Sequence, residues 1–127
     1  MAGRNNTREL GSVIAGMLAG LPHSGARKIL ECDAMQTLFE CLPEHLKGKC
    51  APAEIHYIKS GDGAPRAVCE IWVDDRLTWD ILTRERIRLV REVAEKTGRT
   101  VIEDVSHRLV SSRMLKRQIA VVSIGAD

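Results

Sequence analysis

A chain of 127 residues has room for one hydrophobic core and not for two. Its composition, 44% hydrophobic and 28% charged, is that of an ordinary globular domain, and 3% aromatic content argues against a surface that stacks successive bases on exposed rings. The net charge of +2 hides an asymmetry: residues 1–75 carry −2, and residues 76–126 carry +5.

Thr7 is placed to cap a first helix, whose face is formed by Leu10, Val13, Ile14, Met17, Leu18 and Leu21 at helical spacing. The run Leu21-Pro22-His23-Ser24-Gly25 breaks it. A second helix is expected over 26–42, with Ile29, Leu30, Ala34, Leu38 and Cys41 as its stripe. Pro43 ends that helix and is acceptable at the start of a short turn through Leu46. A strand follows over 53–59, where Ile55 and Tyr57 alternate with Glu54 and His56. The turn chemistry of 60–65 predicts a hairpin into a second strand over 67–73.

Helix pattern then runs over 76–97 and stops at Gly98, where a left-handed residue is expected. Trp79, Leu82, Leu89, Val90 and Val93 form its core stripe, while Arg84, Arg88, Arg91 and Glu95 lie opposite. Leu77 and Ile81 sit on the charged side. They either pack a further element at that end of the helix or offer a small apolar contact to a partner. A third strand is expected over 100–105, extendable through Leu109, with 111–113 as a loop and 118–124 as an edge strand or an ordered tail. The expected fold class is α+β and KH-like in order, α-α-β-β-α-β, with a three- or four-stranded sheet covered on one face by helices. The whole of 1–127 reads as one domain, with a core over 8–108 and a C-terminal extension over 109–127.

Chemistry is sparse. Cys41, His45 and Cys50 are near one another in sequence, but Pro43 intervenes and no second ligand pair completes a zinc site, so no metal is expected. Cys32 and Cys69 read as small core residues. The four histidines stand outside any nucleophile motif. Asp74-Asp75 is explained as a helix cap, and Glu103-Asp104 diverges across a strand. Gly61-Asp62-Gly63 lacks the Gly-Lys-Ser/Thr of a phosphate loop, and the Gly-x-x-Gly clamp of RNA-gripping KH domains is missing. The expectation is therefore no catalysis and no cofactor. No paired Cys-x-x-Cys, signal peptide or bilayer-length apolar run is present, which predicts a cytoplasmic protein with reduced thiols and no membrane partner.

What remains is basic charge. Arg84, Arg88 and Arg91 form a row on the exposed helix face, and Arg99, Arg108, Arg113, Lys116 and Arg117 follow it. Cations touching phosphates would give salt-sensitive, sequence-independent binding. A solvated helix face is the alternative, since Asp80/Arg84 and Glu92/Lys96 are spaced for pairs that cancel part of the charge.

Several stretches in fixed order carry a resemblance. Arg8-Glu9-Leu10-Gly11-Ser12-Val13-Ile14 with Met17-Leu18, then Leu46-Lys47-Gly48-Lys49-Cys50-Ala51-Pro52, then Val73-Asp74-Asp75 with Leu82, Leu89, Val90, Val93, Gly98, Val101, Ile102, Asp104, Val105 and Arg108 follow one spacing. Over 8–108 the chain resembles the DciA-like family of bacterial replicative-helicase loaders. It departs from that pattern in three places. The second helix has Met35 to Phe39 where a Trp is frequent, Trp79 comes one position late, and the aromatic position near His107 is changed. The resemblance implies a KH-like α/β domain without enzymatic activity. It also implies contact with a DnaB-type replicative helicase and with DNA, promoting helicase loading. An RNA-binding KH-like module and a general protein-interaction adaptor remain the alternatives.

Overall fold

The computed structural model describes residues 25–59 and 61–125, and the helix expected over 7–21 lies outside them. Two helices cover one face of a three-stranded mixed sheet, an α+β architecture. The elements are α1 (Gly25–Cys41), β1 (Cys50–Ile58), β2 (Arg66–Val73), α2 (Arg76–Thr97), β3 (Asp104–Leu109) and α3 (Ser112–Gly125), with a single 3-10 turn at Glu44–Leu46. Strand β2 is central. It pairs antiparallel with β1 through the expected hairpin and parallel with β3 after the α2 crossover.

The core lies between the sheet and the paired helices α1 and α2. Alternation along β2 sends Cys69, Ile71 and Val73 inward, where they meet Ala34, Leu38 and Cys41 of α1 and Leu82, Leu89 and Val93 of α2. The 3-10 turn seats Leu46 in the same core, and the Cys50 thiol donates to its carbonyl at 3.3 Å. Burial pushes the Cys50 thiol up to about 12, and Cys41 and Cys69 are raised for the same reason. These three are protonated, inert packing groups. Cys32 is exposed, so the expectation of a core residue is corrected there: it falls on the solvent side of α1. Ile29, assigned to the α1 stripe, is also exposed among the described residues.

Helix α2 spans the residues its periodicity indicates. Asp75 caps it: one carboxylate oxygen accepts the Thr78 N–H at 2.7 Å and the other accepts the Thr78 hydroxyl at 2.8 Å. That second bond satisfies the polar group of Thr78, which is buried. At the other end Gly98 adopts φ 72° and returns its N–H to the Ala94 carbonyl, as a left-handed C-cap requires. The N–H of Thr78 favours the charged carboxylate and holds Asp75 below the usual range. A depressed acid stabilises the fold above its unfolded value and loses that contribution as pH falls through its folded value. Asp75→Ala should therefore melt at a lower temperature than wild type at neutral pH. The gap should narrow once the pH falls below the ordinary carboxylate value and close only beneath the depressed folded value, where the carboxylate is protonated in both states. Thermal melts across pH check this, and a gap independent of pH would deny the cap its charge.

Three boundaries differ from the sequence expectation, each for a physical reason. Strand β1 begins at Cys50, not after Pro52, because a proline is tolerated on an edge strand at a bulge. The register shifts between Pro52 and Glu54, so Ala53 is the extra residue. The third strand begins at Asp104 rather than 100: its ladder with β2 starts where Asp104 pairs with Val68, and Val101 and Ile102, though both buried, precede that ladder in irregular backbone. The strand expectation over 118–124, with 111–113 as a loop, is replaced by α3. Ser111 Oγ accepts the Met114 N–H at 3.2 Å, and Leu115, Gln118, Ile119 and Val122 recur at helical spacing on the inner side. Helix α3 packs against β1 and α1, and Gln118 Nε2 donates to the Pro52 carbonyl at 2.9 Å. That bond covers part of an otherwise open sheet edge. Among the described residues, no helix is long and apolar enough to cross a membrane.

Candidate nucleic-acid and partner interface

The outer face of α2 is built by spacing alone. Leu77, Asp80, Arg84, Ile87 and Arg91 alternate at steps of three and four, which aligns them on one stripe opposite Leu82, Leu89 and Val93. All five are exposed, with Leu77 at 69% and Ile87 at 68%. Two large aliphatic side chains thus stand in water beside two cations. Among the described residues, Arg84 and Arg91 have no ion-pair partner.

Arg88 behaves differently from its two neighbours in the row. Its guanidinium donates to Glu85 at 2.7 Å and also to Glu92, so both acids that flank it are engaged. These hydrogen bonds hold Arg88 above its ordinary value. Of the pairs anticipated from spacing, Glu92 is taken by Arg88 instead of Lys96, and Asp80 with Arg84 does not form among the described residues. The effect is to neutralise Arg88 locally and leave Arg84 and Arg91 as the projecting charges. Of the two apolar candidates, Leu77 projects, whereas Ile81 is half-buried and packs against the core. Ile87 was missed by sequence reading; its distance in angle from the core stripe was the available signal.

The other basic candidates divide among separate elements. Arg99 follows α2, half-buried, with Nε donating to the Thr97 carbonyl at 3.4 Å. Arg108 lies on the open face of the sheet, 4.0 Å from Glu70. Arg113, Lys116 and Arg117 are exposed on the outer side of α3, within its first two turns. Arg86, not singled out from sequence, shares Asp104 with Arg66, each at 3.3 Å. The eight sequence candidates therefore make an α2 pair, an α3 trio and three residues tied to local partners.

Two concavities accompany these surfaces. At the β3 edge, Trp79, Thr83, Arg86, Asp104 and His107 line a shallow pocket. His107 packs against the Trp79 ring edge-on at 5.5 Å, and burial lowers its pKa, which keeps the imidazole neutral at neutral pH. Its Nε2 is buried without a hydrogen-bond partner among the described residues. Both Asp104 oxygens are engaged by arginines, and the Asp104 charge opposes the lowering of His107 without overcoming it. Between α1 and β1, Tyr57 donates to Glu31 at 2.8 Å while Arg27 pairs with Glu31 and lies 4.5 Å over the Tyr57 ring. Burial and the Glu31 acceptor raise the phenol to about 12, so it stays a neutral donor. This is a structural tie between helix and strand.

One group with metal-ligand geometry occurs among the described residues, and it is not the one considered from sequence. Glu54, His56 and Glu70 bring ligand atoms within 4.8 Å of one another on the open face of the sheet. Cys41 and Cys50 are buried in the core, while His45 is exposed. No family model, curated protein or solved structure matches the chain.

Proposed function

We propose that this protein is a non-enzymatic accessory factor of DNA replication that binds DNA and a DnaB-type replicative helicase and promotes helicase loading. The observation that carries the reading is the α2 stripe: Arg84 and Arg91, without an ion-pair partner among the described residues, interleaved with exposed Leu77 and Ile87. Single exposed aliphatics are ordinary, but Leu77 and Ile87 share one stripe with those two arginines. The pattern suits a surface that meets an anionic and a partly apolar partner together. The identity of that partner comes from the family resemblance in the spacing of residues 8–108. The α-β-β-α-β order over residues 25–109 is compatible with it.

In this reading the arginines supply phosphate contacts that position the protein without reading sequence. Leu77 and Ile87 supply apolar area toward the helicase. An adaptor of this kind acts by binding one state of the ring better than another, so the two contacts must differ between loaded and unloaded helicase. The test is to mix the purified protein with the replicative helicase of the same organism and to measure mass by light scattering after size exclusion. A stable co-eluting complex is expected, with its mass giving the number of copies per ring. Separate elution at protein concentrations in the tens of micromolar would overturn the helicase assignment. Preference for structured RNA over DNA in competition would instead favour the RNA-binding alternative.

A further inference from the structure

We propose that Glu54, His56 and Glu70 form a site for one divalent transition-metal cation of the zinc class, on the sheet face that α1 and α2 leave open. The placement begins with the Ala53 bulge, which turns Glu54 and His56 outward and sets Glu54 directly opposite Glu70 on the neighbouring strand. Two carboxylates facing each other across a strand pair repel and cost stability unless positive charge lies between them. His56 is placed there, with Nε2 3.2 Å from Glu54 Oε2 and 3.7 Å from Glu70 Oε1.

One ring nitrogen carries at most one proton, so it can donate to only one of the two oxygens. A cation in place of that proton serves all three groups. Bonds of about 2.1 Å at a tetrahedral centre hold neighbouring donor atoms about 3.4 Å apart. The two observed separations, 3.2 and 3.7 Å, bracket that spacing. One imidazole with two carboxylates is a donor set suited to zinc and its neighbours in the first transition row.

Glu70 is also oriented from behind. Trp72 Nε1–H donates to its Oε2 at 2.9 Å, and Arg108 lies 4.0 Å from the same oxygen, which leaves Oε1 turned toward His56. Such outer partners fix the direction of a metal-binding carboxylate. The side chains of Glu54 and His56 are about half exposed, and that of Glu70 is largely buried. The ion would thus sit on an anchored ligand with its remaining positions open to water or to a donor from a binding partner.

Calorimetric titration of the full chain with zinc ions, in a buffer that does not chelate them, tests the site. One equivalent should bind, and His56→Ala and Glu70→Gln should each weaken binding at least roughly tenfold, the scale on which metal sites respond to lost ligands and supports. Trp72→Phe should weaken it by a similar factor while keeping the ligands. Cys32→Ser should change nothing; it is the control for the exposed thiol, which could otherwise bind zinc on its own. Absence of binding would overturn the proposal and leave the His56 contacts with Glu54 and Glu70 as the link between the two acids. Binding that survives His56→Ala, or that is lost in Cys32→Ser, would overturn it equally. His56 is exposed enough that its variant should fold as wild type does, and a melting curve verifies this.

Discussion

Reversing both projecting arginines of α2, Arg84→Glu with Arg91→Glu, should weaken DNA binding and flatten its dependence on salt. Each lost phosphate contact removes about 0.9 from the slope of log affinity against log salt on duplex DNA, so the double variant should lose about 2. Fluorescence anisotropy of a labelled duplex over a salt series reads both quantities. The fold should be untouched, because among the described residues neither side chain holds an ion pair, and the circular-dichroism spectrum and melting temperature should match wild type. Arg88→Glu is a poor substitute. It would set three acids together where Arg88 now clamps Glu85 and Glu92, so it perturbs the helix as well as its charge. Unchanged affinity and slope in the double variant would remove this face from the DNA-binding reading and shift it to the α3 trio.

Ile71→Ala should be the most damaging single truncation for stability. Ile71 is fully buried on the central strand, between Pro52 on one side and His107 on the other, beneath both covering helices. The backbone around it is fixed by two ladders, so the site cannot collapse onto the space left behind. Truncations of this kind cost about 2–5 kcal/mol, a large part of the roughly 5–15 kcal/mol that holds a domain folded. The melting temperature should fall by roughly 10–20 °C, and urea unfolding should move to a correspondingly lower midpoint. Ile87→Ala, the same family of change on the exposed stripe, should stay within about 0.5 kcal/mol of wild type. Equal effects at the two positions would contradict the assignment of inner and outer faces.

The parts of this fold that were legible in the sequence are those with a local cause. Helix α2 has an Asp cap, a continuous apolar stripe and a terminal glycine, and each acts within a few residues of itself. The hairpin is announced by its glycines and the core face of β2 by alternation. What could not be read depends on distant partners. The β-branched run in α3 suits a strand in isolation, but its inner face is claimed by β1 and α1. Val101 and Ile102 also suit a strand, yet the core takes both, and the ladder starts beyond them.

The candidate surfaces divide in the same way. That Arg84 and Arg91 face outward follows from helical period. That Arg88 is committed to Glu85 and Glu92 requires the side-chain geometry, because several pairings share the same spacing. Glu54 and His56 could be placed on one face of a strand from sequence. Their meeting with Glu70 depends on a register that one extra residue sets, and no composition or period reveals it.

That extra residue gives β1 two phases. Before Ala53 the inward positions are Cys50 and Pro52; after it they are Ile55 and Tyr57, an odd step from Pro52 to Ile55 that an unbroken pleat forbids. Ala53 therefore works as a hinge of parity, a place where the strand changes step. Substitutions on either side of it alter one side chain each. Loss or gain of a single residue there would exchange the wet and dry sides of half the strand at once. It would turn Glu54 and His56 toward Leu38 and Ile71 and bring Ile55 out. The chain is thus far more tolerant of changes in the identity of the residues along this strand than of changes in their number.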